Sequence, residues 1–232
     1  MGHTGHTGIV REHGVQIPSG GAVLAGELNV PVGAQGVVLF AHGSGSSRHS
    51  PRNQFVARTI REAGTGTLLF DLLTREEESV DMHTRHLRFD IGLLAHRLAD
   101  ATDWVKKEAD LWHLRVGYFG ASTGGGAALL AAAEIGEEIG AVVSRGGRPD
   151  LAGAEALQRV KSPTLLIVGG LDAPVIELNE EAYASLRCEK EMRIVPGASH
   201  LFEEPGALEE VARLAAGWFQ KHLRPRSNVA AE

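Results

Sequence analysis

Short apolar runs alternate with amphipathic stretches along nearly the whole chain. Residues 36–41, 67–72, 116–119, 141–144, 164–168 and 192–195 read as strands. The run from Gly36 to Ala41 shows no polar alternation, the pattern of a strand covered on both faces. Between these runs the apolar period lengthens. Phe55, Val56, Ile60 and Ala63 share one face of a helix predicted over 51–64, which Gly64 stops. Further helices are predicted over about 87–108, 150–159, 175–187 and 205–222, whereas the polar, acidic residues 75–85 read as a surface loop. Two earlier strands, 10–17 and 22–30, flank Pro18-Ser19-Gly20-Gly21, a turn suited to an antiparallel hairpin. Strands alternating with helices at this spacing predict an α/β chain, with a mostly parallel sheet, helices on both faces and the hairpin at its start. No linker or repeat divides it, so residues 1–232 are expected to form one domain with a core of about 12–222, a flexible start and a disordered tail from Arg224.

The most informative stretch is 115–133. An apolar strand runs directly into Gly120-Ala121-Ser122-Thr123-Gly124, followed by a small-residue segment of good helix propensity. Strand, G-x-S-x-G and helix in that order make a nucleophile elbow, where glycines allow a tight turn and the serine hydroxyl stands clear of the sheet. The same glycines taken alone would also suit phosphate cradling or close helix packing. Other strand ends decide between these readings. Functional groups in an open α/β sheet gather at the carboxyl ends of strands, and Asp172 and His200 also lie just past such ends. In that arrangement His200 is the general base for Ser122, and Asp172 holds the imidazole in the right tautomer. Taken singly, Asp172 could be only a helix cap and His200 only a surface residue. The backbone N–H groups of Ser44, in the loop after the third strand, and of Thr123 are the expected oxyanion donors.

Together, His42-Gly43-Ser44-Gly45, Gly120-Ala121-Ser122-Thr123-Gly124, Gly170-Leu171-Asp172 and Gly197-Ala198-Ser199-His200 resemble the α/β-hydrolase superfamily. The order Ser, Asp, His is that of this superfamily, and the compact size resembles its dienelactone hydrolase branch. The resemblance covers about 12–222. It implies an α/β-hydrolase fold without a cap domain, and a carboxylic-ester hydrolase needing no metal or cofactor. One position departs from the branch, whose members carry cysteine where this chain has Ser122. A hydroxyl is activated differently from a thiol, which favours a general esterase over dienelactone as substrate. The same site chemistry suits thioesters, lactones, short peptides or organophosphates, and a non-catalytic ligand-binding protein on a hydrolase scaffold is the alternative of another class.

Composition narrows the partners. The net charge of −6 arises from 29 acidic and 23 basic residues spread along the chain without a basic stripe, which argues against nucleic acid. No apolar run approaches membrane-spanning length and the N-terminus lacks a signal-peptide core, so a cytoplasmic protein that does not enter membranes is expected. A single cysteine, Cys188, excludes an internal disulfide framework and reads as a partly buried small hydrophobe. The expected partner is a small ester; a homodimer is left open.

Other residues of reactive type have plainer roles open to them. Arg145 and Arg148, past a strand end, are candidates for clamping a substrate carboxylate or phosphate, against ordinary loop ion pairs. His83 and His86, near Glu76, Glu77 and Glu78, match no established zinc spacing and read as a solvated loop. Asp71 is expected to hold its loop rather than replace Asp172. The interval between Ser144 and Thr164 is too short for an independent cap, so the site is expected to be open, walled by loops and selective for short acyl chains.

Overall fold

The computed structural model describes residues 9–224. The expected flexible start and the tail past Arg224 lie outside the described residues. Among those described, eight strands form a single sheet in the order β1-β2-β4-β3-β5-β6-β7-β8. The strands are β1 (Ile9–Ser19), β2 (Ala22–Pro31), β3 (Gly36–Ala41), β4 (Gly66–Phe70), β5 (Arg115–Ala121), β6 (Ile139–Arg145), β7 (Thr164–Gly169) and β8 (Lys190–Val195). The hairpin β1–β2 is antiparallel and pairs antiparallel with β4, while the remaining neighbours are parallel. This is the mostly parallel sheet with an antiparallel hairpin expected from the pattern of runs, and it agrees with the α/β-hydrolase fold that the resemblance implies.

Among the described residues seven α-helices flank the sheet: α1 (Pro51–Glu62), α2 (Arg75–Thr84), α3 (Ile91–Lys107), α4 (Thr123–Ile135), α5 (Ala154–Arg159), α6 (Ala173–Ser185) and α7 (Ala207–His222). β3, β4, β6 and β7 are buried along their whole length, as runs without polar alternation require. Alternate side chains feed two cores. Leu39, Leu68, Phe70 and Tyr118 pack with Leu94 and Leu98 of α3 and Leu129 of α4 on one face. On the other, Phe40, Phe119, Val143 and Ile167 pack with Val56 and Ile60 of α1 and Val211 and Phe219 of α7.

Residues 75–84, expected as loop, are helix α2. The determinant is Thr74: its hydroxyl accepts from the Glu77 N–H at 3.2 Å, and Glu77 accepts from the Thr74 N–H at 2.8 Å. This capping box satisfies donors that a helix start otherwise leaves open. Glu77 also takes both terminal nitrogens of buried Arg97 from α3, at 2.6 and 2.5 Å. A polar helix with little apolar surface is thus tied down by its cap and one bidentate ion pair. The helix predicted over 87–108 starts with a 3-10 turn at Leu87–Phe89; α3 proper is capped by Asp90, which accepts from the Leu93 N–H at 3.0 Å.

Candidate active site

The strand order reverses around β3, with β4 on one side and β5 on the other. The loops leaving β3 and β5 therefore diverge and leave a crevice at the carboxyl edge, where α/β sheets hold their ligands. Ser122 leaves β5 with φ 52° and ψ −122°, a strained conformation for a side-chain-bearing residue. Close packing enforces the turn. A Cβ on Gly120 would lie 2.4 Å from the Gly124 carbonyl oxygen, and one on Gly124 would lie 2.1 Å from that of Ala41. Only hydrogen fits at either position. Ser122 occupies the N-cap of α4, yet its side chain makes no capping bond. The half-buried hydroxyl is left available, without a hydrogen-bond partner among the described residues.

Asp172 stands likewise at the N-cap of α6 without capping it. Its Oδ2 instead accepts from His200 Nδ1 at 2.6 Å. With Nδ1–H donated there, Nε2 is the basic nitrogen. The Ser199 N–H, donated to Glu204 at 3.0 Å, anchors the histidine loop. That loop rests on Gly146: a Cβ there would lie 3.5 Å from His200 Nδ1, and the residue has φ 50°. Gly146 follows Arg145, whose carbonyl accepts the Ser122 N–H at 3.2 Å. Ser122 and the His200 loop thus both pack at the end of β6, although Ser122 Oγ and the imidazole are not hydrogen-bonded here. Such bonds often tighten only when substrate binds.

The expected oxyanion donors are adjacent, with an unexpected link between them. The Ser44 N–H donates to Thr123 Oγ1 at 2.9 Å. The Thr123 N–H opens α4 and is one of the donors the helix cannot use. Sequence reasoning overlooked both this threonine hydroxyl and His42. Buried His42 accepts the Leu72 N–H on Nε2 at 3.0 Å and faces the Gly43 carbonyl with Nδ1, also at 3.0 Å. The ring is therefore neutral and pins the β3 loop to the segment after β4. Burial lowers its pKa, outweighing the Gly43 carbonyl and the Asp71 charge, which act in the other direction.

A cavity of about 580 Å³ opens beside the elbow, reaching His42, Gly43, Ser44 and Thr123. Its far wall comes from Leu72, Leu73 and Leu94, and from Glu78, Asp81 and Met82 of α2. The site is therefore walled partly by a helix rather than by loops alone. Asp71 accepts from the Arg48 backbone at 2.8 Å and pairs with the Arg48 side chain, holding the β3 loop. His83 bonds the Ser79 carbonyl and His86 the Thr84 hydroxyl, both on the exposed surface. Cys188 is partly buried, its thiol pKa raised by burial. The two candidate arginines differ. Arg148 forks onto Asp150 at 2.8 and 2.7 Å, a local ion pair. Arg145 is buried, with Nε and Nη1 unpartnered.

The model of the dienelactone hydrolase family matches residues 21–223. The chain belongs to the dienelactone hydrolase family. A crystal structure of dienelactone hydrolase from Anabaena variabilis is 63% identical and superposes with a TM-score of 0.90, covering 92% of this chain and 99% of that one. The family fold extends to distant proteins. The esterase domain of a Rhodothermus marinus protein, 19% identical, aligns with a TM-score of 0.71 over 92% of this chain and 100% of its own. Two curated proteins from strains of Mycobacterium tuberculosis, provisionally named phosphoribosyl transferases, are 56% identical over 214 residues, 92% of this chain. This member of the family spans about half of their length, 47%. Among the described residues no helix is long and apolar enough to cross a membrane.

Proposed function

We propose that the chain is a carboxylic-ester hydrolase acting through Ser122, His200 and Asp172 by way of an acyl-enzyme. The observation that carries this reading is the 2.6 Å bond from His200 Nδ1 to Asp172, beside an elbow serine whose hydroxyl caps nothing. Two residues at helix N-caps, both of types that normally cap, have their side chains left for other work. Family membership supports a hydrolase, and the serine–histidine–aspartate set supports the ester class.

The steps follow from the donors and acceptors. His200 Nε2 takes the proton of Ser122 Oγ as the oxygen attacks the ester carbonyl carbon. The carbonyl oxygen becomes anionic and is met by the Thr123 N–H and by the Ser44 N–H, which must first release Thr123 Oγ1. On collapse the C–O bond to the alcohol breaks, and the imidazolium returns its proton to the leaving oxygen. Water then repeats the sequence on the acyl-serine, releasing the acid and restoring the serine. Lactones are cyclic esters and pass through the same steps.

The name of the Mycobacterium tuberculosis relatives belongs to proteins about twice as long as the matched part, so it does not assign phosphoribosyl transfer to this part. The experiment compares wild type with Asp172→Asn on an activated short-chain ester. Loss of the correct tautomer should lower kcat by about 10⁴. A mild effect from Asp172→Asn together with a crippling one from Asp71→Asn would move the acid to Asp71.

A further inference from the structure

Threonines further along the helices of this protein use their hydroxyls in one way. Those of Thr59, Thr84 and Thr102 each donate to the carbonyl one turn back, at 3.4, 3.2 and 2.9 Å. Thr123 lacks that option. It is the first residue of α4, and the chain behind it turns through Ser122 into β5. Its Oγ1 instead accepts the Ser44 N–H at 2.9 Å. A hydroxyl offers one donor and two lone pairs, so this bond leaves the hydrogen itself unused. Among the described residues nothing accepts that hydrogen, although Thr123 is only 3% exposed.

The place of this hydroxyl gives it meaning. Thr123 lines the cavity beside the elbow, together with Gly43 and Ser44. The two backbone donors assigned to the oxyanion flank the hydroxyl: the N–H of Thr123 itself, at the positive end of α4, and the N–H of Ser44. An anion that takes the Ser44 N–H takes it from Oγ1. The hydroxyl then has no partner left among the described residues, and a buried polar group in that state is disfavoured. The acceptor that displaced it stands next to it and carries negative charge.

We propose that the Thr123 hydroxyl is a third oxyanion donor, so that Thr123 serves the reaction with its side chain as well as its backbone. This role rests on the hydrolase reading above. Before attack, Oγ1 holds the Ser44 N–H in place. As Ser122 attacks, the Ser44 N–H turns to the carbonyl oxygen, and the hydroxyl follows by donating its hydrogen to the same oxygen. The proton stays on Oγ1 throughout, and no covalent bond forms or breaks beyond those of ester hydrolysis. The charge it meets exists only in the transition state and the tetrahedral intermediate, so the hydroxyl acts on kcat rather than on binding of the neutral ester.

The test uses the full chain with Thr123→Val, which keeps the branched shape without the hydroxyl, and Thr123→Ser, which keeps the hydroxyl. Phenyl butyrate reports kcat and KM. A trifluoromethyl ketone of the same acyl length reports binding of a Ser122 adduct that carries the oxyanion, and the unfolding temperature reports folding. Thr123→Val should lower kcat about 100-fold, the scale for removing one oxyanion donor, with KM nearly unchanged. It should weaken the ketone by a similar factor, and Thr123→Ser should recover most of both losses. An unchanged or higher kcat in Thr123→Val would make the hydroxyl a plug that substrate displaces, overturning the proposal and leaving the hydrolase. A loss of equal size in Thr123→Ser, or one carried by KM, would mark a packing role and overturn it likewise. Should Thr123→Val fail to fold, Thr123→Ala replaces it under the same expectations, and failure of both makes the side chain structural and overturns the proposal. A folded wild type that neither hydrolyses the ester nor binds the ketone overturns the hydrolase reading, and this role with it.

Discussion

Ser122 holds φ 52° and ψ −122° at the head of α4, a conformation that costs on the order of 1–3 kcal/mol. The surrounding backbone sustains it, since Gly120 and Gly124 are packed too closely for any side chain. The strain aims one hydroxyl away from the helix it would otherwise cap. His42 works at the same scale, in neutral form. Its ordinary pKa of 6.5 applies to the unfolded chain, and burial lowers it in the folded one. As pH falls below 6.5, the unfolded chain takes up a proton that the folded chain resists, so stability is lost from there towards the lower folded value. Unfolding temperatures should therefore drop from pH 7 to pH 5.5, and His42→Gln should show a shallower drop. Parallel slopes for the two proteins would show that His42 is not the group responsible. The position of Ser122, Asp172 and His200 past strand ends was legible because each follows an apolar run within about five residues. The role of His42 was not, because it depends on Leu72, thirty residues on and brought alongside only by the pairing of β3 with β4.

At the scale of elements, α2 is where sequence and structure part. Its apolar periodicity is weak, so the acidic stretch reads as loop, yet Thr74 and Glu77 stand at the spacing of a capping box and Arg97 secures the helix from α3. The first of these signals was present in the sequence; the second needed the fold. α2 also changes the view of the site, bringing Glu78, Asp81 and Met82 to the cavity wall. Burial raises the Glu78 carboxyl pKa, with the Asp71 charge acting in the same direction. A cavity of about 580 Å³ with polar groups on the α2 side suits a short acyl chain. Each methylene left in water forgoes about 0.8 kcal/mol of burial, roughly a fourfold gain in binding. Across a homologous series of neutral esters, kcat/KM should level off after a few acyl carbons and then fall. A continued rise to long chains would show that α2 moves aside and opens an apolar channel.

The whole molecule explains why few residues suffice. One sheet, reversed in order around β3, delivers the loops after β3, β5, β7 and β8 to one edge, and these carry Ser44, Ser122, Asp172 and His200. The fold was legible because β3, β4, β6 and β7 are buried on both faces and so appear as unbroken apolar runs. The isolation of Arg145 was not legible, since a missing counter-charge becomes visible only when all neighbours are placed. Longer relatives place about half of their length outside what this chain spans, so activity measured on this chain belongs to the hydrolase-family part alone. The central claim is that Ser122 is a nucleophile activated by His200. It is tested most directly by intact-mass and peptide analysis after treatment with a serine-directed phosphonate. The account predicts stoichiometric phosphonylation of Ser122, parallel loss of esterase activity, and no adduct on Ser122→Ala or His200→Ala. An unmodified Ser122 in folded protein that still hydrolyses esters, or modification spread equally over other serines, would contradict it.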